Sequence, residues 1–348
     1  MMKRFAWTTA ESPSAAASAA STICAEAMAL TDGATDGAIV MAGGIDLLDL
    51  MKEGLLAPAR LIGLRDIADF GAIDLERDGA RLGAGITLAA LAADARIRRR
   101  YPALAAAAAG AASPQIRNVA TLGGNLLQRP RCWYFRSRHH RCLRRGGVHC
   151  FAHDGDNRYH AIFDNRRCAI VHPSTLATVL VALGADVQLT DAAGGSRRLP
   201  LEVFLTPPAG DLTRENILQP REILHAVHLP PISEGIRMAH SKRGEKDAFD
   251  WPLAEVAVVL DLEPGGRCRD AAVILGAAAP APHRAVNAAR QLVGAVIDEK
   301  RATAAAAAAI EDATPLADNG HKLPLFEALV RRTIMAAAQG RLEDSILR

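Results

Sequence analysis

The sequence predicts a chain of mixed α/β and α+β class, and three observations carry that expectation. Strand–turn–helix units recur through the first half, the pattern of an α/β architecture. The C-terminal part reads as strands followed by helices, the order of a separate α+β module. The length of 348 residues, with 50% hydrophobic and 23% charged, suffices for two or three domains with their own cores.

Residues 1–20 are dominated by Ser and Ala and are expected to be a flexible start, and an alanine-rich helix is expected over Ser21–Met28. GAIVMAGGIDLLDLMKEG (37–54) gives a short apolar strand, a Gly-Gly turn and a helical pattern with Asp46 near its start and Gly54 as its stop. A second strand follows over Ala59–Leu64. ARLGAGITLAALAAD (80–94) repeats the device with Thr87 as helix cap, and residues 102–112 form an alanine-rich helix ending near Gly110. HPSTLATVLVALGADVQLTD (172–191) reads as helix then strand, and ILHAVHLP (223–230) as a strand closed by proline. A boundary at 231–236 divides a first domain (21–231) from a C-terminal module (236–348). The module has strands near 255–263 and 270–276 and helices near 284–311 and 323–340.

A formal net charge of +3 excludes a general nucleic-acid or membrane-surface role. No apolar run reaches the roughly 18–20 residues that span a bilayer. Lys3-Arg4 is followed by polar and alanine-rich residues, so no signal peptide is expected. Six cysteines are too sparse for a disulfide-stapled secreted domain. Cys24 and Cys268 read as small hydrophobes, whereas Cys132, Cys142, Cys150 and Cys168 crowd one stretch with the spacing C-x9-C-x7-C-x17-C. Seven arginines (129, 131, 136, 138, 141, 144 and 145) interleave with them and are read as compensation for a buried anionic metal–thiolate group. A zinc site, four unrelated buried thiols, and mixed ligation by His139, His140, His149, His153 or His160 stay open; the CxxC pairs that zinc favours are absent.

The Gly43-Gly44 turn and NVATLGGNLLQ (118–128) are both candidate anion cradles, because glycine lets successive backbone N–H groups converge on a phosphate. Neither is a GxGxxG fingerprint or a Walker loop.

VMAGGIDLLDLMK, SPQIRNVATLGGNL and HPSTLATVLVALGA together resemble the FAD-binding subunit or domain of the molybdenum hydroxylases, the xanthine dehydrogenase and aldehyde oxidoreductase family. The resemblance covers about residues 21–345. It implies a two-subdomain, PCMH-like FAD-binding fold followed by a C-terminal antiparallel sheet with helices, of the carbon monoxide dehydrogenase flavoprotein type. It implies FAD contacts at Val40, Met41, Ala42, Gly43, Gly44, Ile45, Asp46 and Leu47, and at Ala111, Thr121, Gly124 and Asn125. Leu224 and Lys242 would lie near the isoalloxazine. The chain departs from the family at Ile45, where Thr is usual, at Thr175, where Ser-Asp usually opens the helix, and at Lys246, more often Arg.

The segment 129–174 resembles the insertion of bacterial three-subunit aldehyde oxidoreductases, which implies a [4Fe–4S] cluster within 128–170 on Cys132, Cys142, Cys150 and Cys168. The implied function is electron transfer. A large molybdopterin-binding subunit would oxidise an aldehyde, a small [2Fe–2S] subunit would relay electrons, and FAD on this chain would deliver them to an external acceptor. No catalytic acid or base is called for. The flavin subunit of a hydroxybenzoyl-CoA reductase-type enzyme and a zinc-stabilised scaffold are the rival readings. Such a complex would be cytoplasmic, or periplasmic if a partner carries a twin-arginine signal.

Overall fold

In the computed structural model, which describes residues 2–29, 34–206, 211–246 and 249–341, the expected flexible start is instead ordered structure. β1 (Ala6–Thr9) leads into α1 (Pro13–Ala19), which has Pro13 in its first turn and is capped by Ser12, whose side chain accepts the Ala15 N–H. α2 (Cys24–Ala29) follows, then β2 (Ala34–Met41), α3 (Leu47–Lys52) and β3 (Ala57–Gly63). β1 and β2 flank β3 in a parallel three-stranded sheet. Trp7 of β1 lies over Gly63, filling the space a side chain there would need. Ala16 and Ala17 are fully buried, so the alanines read as a frayed end are the contact face of a packed helix. The side chain of Cys24, read as a small hydrophobe, lies outside the described residues.

Next come β4 (Ile73–Glu76), β5 (Gly79–Gly83), α4 (Leu88–Ala93), α5 (Ala95–Arg100), α6 (Pro102–Gly110), α7 (Pro114–Arg117) and α8 (Leu122–Leu126). The segment 129–174 is almost free of regular structure, with one 3-10 turn at Leu143–Arg145. α9 (Thr175–Ala182), β6 (Asp186–Asp191), β7 (Ser196–Pro200), α10 (Leu201–Phe204) and β8 (Glu222–Leu229) complete this part. The rest is β9 (Ile236–Arg243), β10 (Ala254–Leu262), β11 (Cys268–Gly276), β12 (His283–Arg284), α11 (Val286–Leu292), α12 (Glu299–Ala309) and α13 (Lys322–Ala338). The single helix expected over 284–311 is two, broken by a turn in which Gly294 adopts φ +81° and Val296 bridges Arg267. No helix among the described residues is long and apolar enough to cross a membrane.

Contacts divide the chain into two units. The first comprises residues 1–88, 115–154 and 185–229; the second comprises 89–114, 155–184 and 230–348. They are not the linear segments 21–231 and 236–348: helices on the N-terminal side of that boundary pack with the C-terminal module. The first unit holds the parallel sheet and an antiparallel sheet in the order β4-β5-β8-β6-β7, with α1 packed on β6 and β8. The second holds the antiparallel sheet β12-β11-β10-β9. One of its faces buries Ala239, Val256, Val258 and Leu260 with Phe326, Val330 and Ile334 of α13. Side chains alternate across a strand, so Met238, His240 and Lys242 look the other way, the side on which Lys242 reaches Gly110 at the end of α6.

Candidate functional site

In the first unit Val40 and Met41 end β2, Ala42–Asp46 form a loop, and Leu47 begins α3. Gly43 lies against the backbone of Val119 and Ala120, where a Cβ would overlap the Val119 carbonyl oxygen. The two glycine turns are therefore adjacent, and glycine is what allows it. Among the described residues no protein acceptor takes the N–H groups of Gly43, Gly44, Ile45 or Asp46. Such a run of donors before a helix suits a diphosphate.

The second turn is fixed from beneath. The Gly123 N–H donates to the Ala84 carbonyl at 2.8 Å and the Leu122 N–H to that of Ile86 at 2.9 Å. A Cβ on Gly123 would stand 2.9 Å from that of Ala84. Thr121 caps α8, its hydroxyl accepting the Gly124 N–H at 3.1 Å, and its carbonyl accepts the Asn125 N–H at 2.8 Å. Gly124 is exposed and Asn125 half-buried, while Leu224, expected near a flavin ring, is buried in β8.

In the second unit Ala111 follows α6 directly, and the Lys242 ammonium donates to the Gly110 carbonyl at 3.1 Å. These two expected site residues are thus neighbours. Beside Lys242, the buried His240 Nε2 and Glu255 Oε1 are 2.9 Å apart.

Asp46 has a role beyond the loop. Its Oδ2 accepts the Arg129 N–H at 2.7 Å, and its Oδ1 lies 2.6 Å from Arg136 and 3.1 Å from Arg131. Beyond the expected compensation of a metal–thiolate group, these guanidiniums have partners of their own. Arg129 and Arg144 clasp Glu215 at 2.8 and 2.9 Å, all three buried. Arg129 also donates to the Thr213 carbonyl and Arg144 to that of Arg214. Arg136 donates to the carbonyls of Pro130 and Arg129. Arg145 gathers those of Phe135, Ser137 and His140. An irregular segment leaves its buried carbonyls without ladder partners, and arginine, with five donors in a fork, supplies them. Burial pushes the Arg131 and Arg145 guanidiniums below their ordinary value, with Asp46 opposing the fall at Arg131.

Cys132 and Cys142 pack into one apolar cluster with Leu50, Met51, Leu55 and the fully buried Phe135. A bridge between Cys142 and His149 brings Cys150 alongside that turn. Cys168 is buried in the second unit. Cys268, read as a small hydrophobe, is buried in the core of that unit, which pushes its thiol up to about 11. Among the described residues no three His, Cys, Asp or Glu side chains converge as a metal-ligating set. Among the described residues, the four cysteines expected as cluster ligands form no such set. The glycine loops do fit FAD, through their donor run and the close approach at Gly43.

Sequence reading missed Glu215, the anchor of the arginine segment. It stands 71 positions from Arg144, so no local pattern could pair them.

Residues 4–232 match the family model described as the FAD-binding domain in molybdopterin dehydrogenase. Residues 239–337 match the CO dehydrogenase flavoprotein C-terminal domain. The chain is 36% identical over 311 residues to the aldehyde oxidoreductase FAD-binding subunit PaoB of Escherichia coli (strain K12), covering 88% of this chain and 92% of that protein. It is 27% identical to the carbon monoxide dehydrogenase medium chain of Afipia carboxidovorans, covering 90% and 93%. The crystal structure of quinoline 2-oxidoreductase from Pseudomonas putida 86 shares the fold, with TM-score 0.72 at 24% identity over 98% of this chain and 99% of that one. The chain belongs to the FAD-binding subunits of the molybdopterin-dependent oxidoreductases, the molybdenum hydroxylase family.

Proposed function

We propose that this chain is the electron-transfer subunit of a molybdenum-dependent aldehyde oxidoreductase, working with a large molybdopterin-binding subunit and a small [2Fe–2S] subunit and delivering electrons to an external acceptor. The observation that carries the reading is the pair of touching glycine turns, Gly43 against Val119-Ala120, with the donor run Gly43–Asp46. The aldehyde class is supported by the 36% identity to PaoB, above the 26–27% shared with the xanthine and carbon monoxide dehydrogenase subunits.

FAD, when bound, supplies the redox chemistry, and the protein supplies binding and orientation. The N–H groups of Gly43–Asp46 would hold the diphosphate, aided by the start of α3. Thr121, Gly124 and Asn125 would shape the neighbouring wall. The exposed Ile45 offers no hydroxyl where the family usually has one, so the hold at that position is backbone alone. Ala111, Leu224 and Lys242 are proposed as further flavin contacts.

The cysteine segment is proposed to bind iron, with Cys132, Cys142, Cys150 and Cys168 as the ligands its resemblance implies. What supports this is the crowding of Cys132, Cys142 and Cys150 in one stretch of the first unit and the turn at Cys142, whose carbonyl accepts the N–H groups of Arg145 and Gly147.

One preparation tests both parts. The purified complex should show flavin absorption together with broad iron–sulfur absorption. Gly43→Val should lose FAD, since the added side chain meets backbone, while Cys142→Ser should lose iron and keep FAD. A colourless, zinc-containing preparation would overturn the electron-transfer reading; full iron in Cys142→Ser would overturn the ligand assignment alone.

A further inference from the structure

The Asp46 carboxylate stands where two functional segments meet. It belongs to the glycine loop through its backbone, next to the donor run Gly43–Asp46. Its two oxygens belong to the cysteine segment. Oδ2 accepts the Arg129 N–H at 2.7 Å, and Oδ1 takes Arg136 at 2.6 Å and Arg131 at 3.1 Å. Arg136 extends the chain of contacts in three directions. Its Nε donates to the Pro130 carbonyl at 2.8 Å and its Nη2 to the Arg129 carbonyl at 3.0 Å, while its own N–H donates to the Cys132 carbonyl at 3.0 Å. The side chains of Asp46 and Arg136 are only 16% and 14% exposed, so water screens this link weakly.

We propose that Asp46 is a positioning residue that couples the flavin loop to the cysteine segment: an FAD diphosphate held on Gly43–Asp46 fixes the Asp46 backbone, which fixes its carboxylate, which through Arg131 and Arg136 orders the turn carrying Cys132. The inference rests on the placement of FAD proposed above. With FAD bound, two anions would meet at this corner. A diphosphate on the loop would repel the Asp46 carboxylate unless the guanidiniums of Arg131 and Arg136 stand between them, which gives FAD a reason to favour the arginine-clasped state. By linkage the coupling is reciprocal: a well-ordered cysteine segment tightens FAD by the same factor by which FAD orders the segment.

The test is amide hydrogen exchange on the full-length chain in its complex, with FAD present and after its removal. The informative amides are those of Arg129, bonded to Asp46, and Arg136, bonded to Cys132. FAD should slow their exchange by about tenfold in the parent protein, a coupling of ordinary size. In Asp46→Asn, which keeps an acceptor for the Arg129 N–H but loses the charge, the FAD-dependent difference should fall below about twofold and FAD affinity should weaken by about the same factor of ten. A merely structural carboxylate would raise exchange equally with and without FAD. That result, or an undiminished FAD effect in Asp46→Asn, overturns the coupling. Should Asp46→Asn not fold, Arg131→Gln removes one clasp only and should roughly halve the logarithm of the FAD effect; an unchanged effect there overturns the proposal. Failure of the parent complex to bind FAD would instead sink the functional reading on which the inference rests, so the two failures are distinct.

Discussion

The two units bury cations in opposite ways. In the first, Arg129 and Arg144 are buried against one carboxylate, Glu215, with carbonyls of Thr213 and Arg214 taking further donors. In the second, Lys322 at the start of α13 is completely buried, and its ammonium has the carbonyls of His160 at 3.0 Å and Ala277 at 2.5 Å as hydrogen-bond acceptors. Among the described residues no carboxylate pairs with it, and the Phe326 ring face lies 5.9 Å away. A guanidinium stays charged in a protein, so its burial calls for a carboxylate; an ammonium can lose its proton instead. Burial accordingly pushes Lys322 down to about 7 from its ordinary 10.5. The difference follows what each cation holds. Arginine organises an irregular segment whose carbonyls point many ways. Lysine pins one spot, where segment 157–165 meets α13, assisted by Asn319 and Asn165.

Breaking the paired case should cost most. Glu215→Ala leaves two buried guanidiniums without their carboxylate, and such a loss typically destabilises by about 3–5 kcal/mol. Urea unfolding of the purified protein measures it. The carboxylate is also the common anchor of both ends of the 129–145 stretch, so local exchange of that stretch should rise more than that of the second unit. A loss under about 1 kcal/mol would show that the triad holds nothing.

The unpaired case should respond with the opposite sign. The folded-state value of Lys322 lies below its unfolded value, so between pH 7 and 10.5 the unfolded chain binds a proton that the folded chain does not. This group's contribution therefore makes stability rise with pH across that window, and it is flat below about pH 7. Lys322→Met removes the penalty, and allowing for two lost hydrogen bonds the net gain at pH 7 should be roughly 2 kcal/mol. Melting at pH 7 and pH 9 checks both points: the variant should gain less on going to the higher pH than the parent does. A variant that is weaker at both values would mean that the carbonyl anchors outweigh the burial penalty.

How much of this was legible in the sequence depends on where each residue finds its partner. The strand–glycine turn–helix at 37–54 was legible because its determinants are local: apolar run, glycine pair, helical spacing. β9 was not, because IRMAHSKR looks like surface. Three of its polar residues find partners across the sheet and beyond it: His240 Nε2 with Glu255, Ser241 with Thr333, Lys242 with the Gly110 carbonyl. The start of the chain misled for a different reason. Alanine-rich sequence reads as unable to build a core, yet small side chains are what let α1 approach β6 and β8 closely. The arginine run drew attention to charge, whereas its role in the fold depends on the number and direction of its donors. The cysteines could be counted but not placed, since 129–174 has no periodicity from which to infer a fold.

The smallest expected effect isolates that last point about donors against charge. Arg145 makes no carboxylate ion pair among the described residues; its Nη1 donates to the carbonyls of Phe135, Ser137 and His140, at 2.7 Å for Ser137. Arg145→Lys keeps the charge and most of the apolar stem but replaces a planar fork by a compact ammonium with a shorter reach. If charge near the thiols were what mattered, the variant would be neutral. If the guanidinium holds the 135–140 turn, the variant should lose about 1 kcal/mol, and exchange should rise at that turn and not elsewhere in the first unit. The turn begins at Phe135, which closes the cluster containing Cys132 and Cys142, so reaction of those thiols with a maleimide should also quicken. Unchanged stability and unchanged thiol reactivity would return the arginine run to a purely electrostatic role.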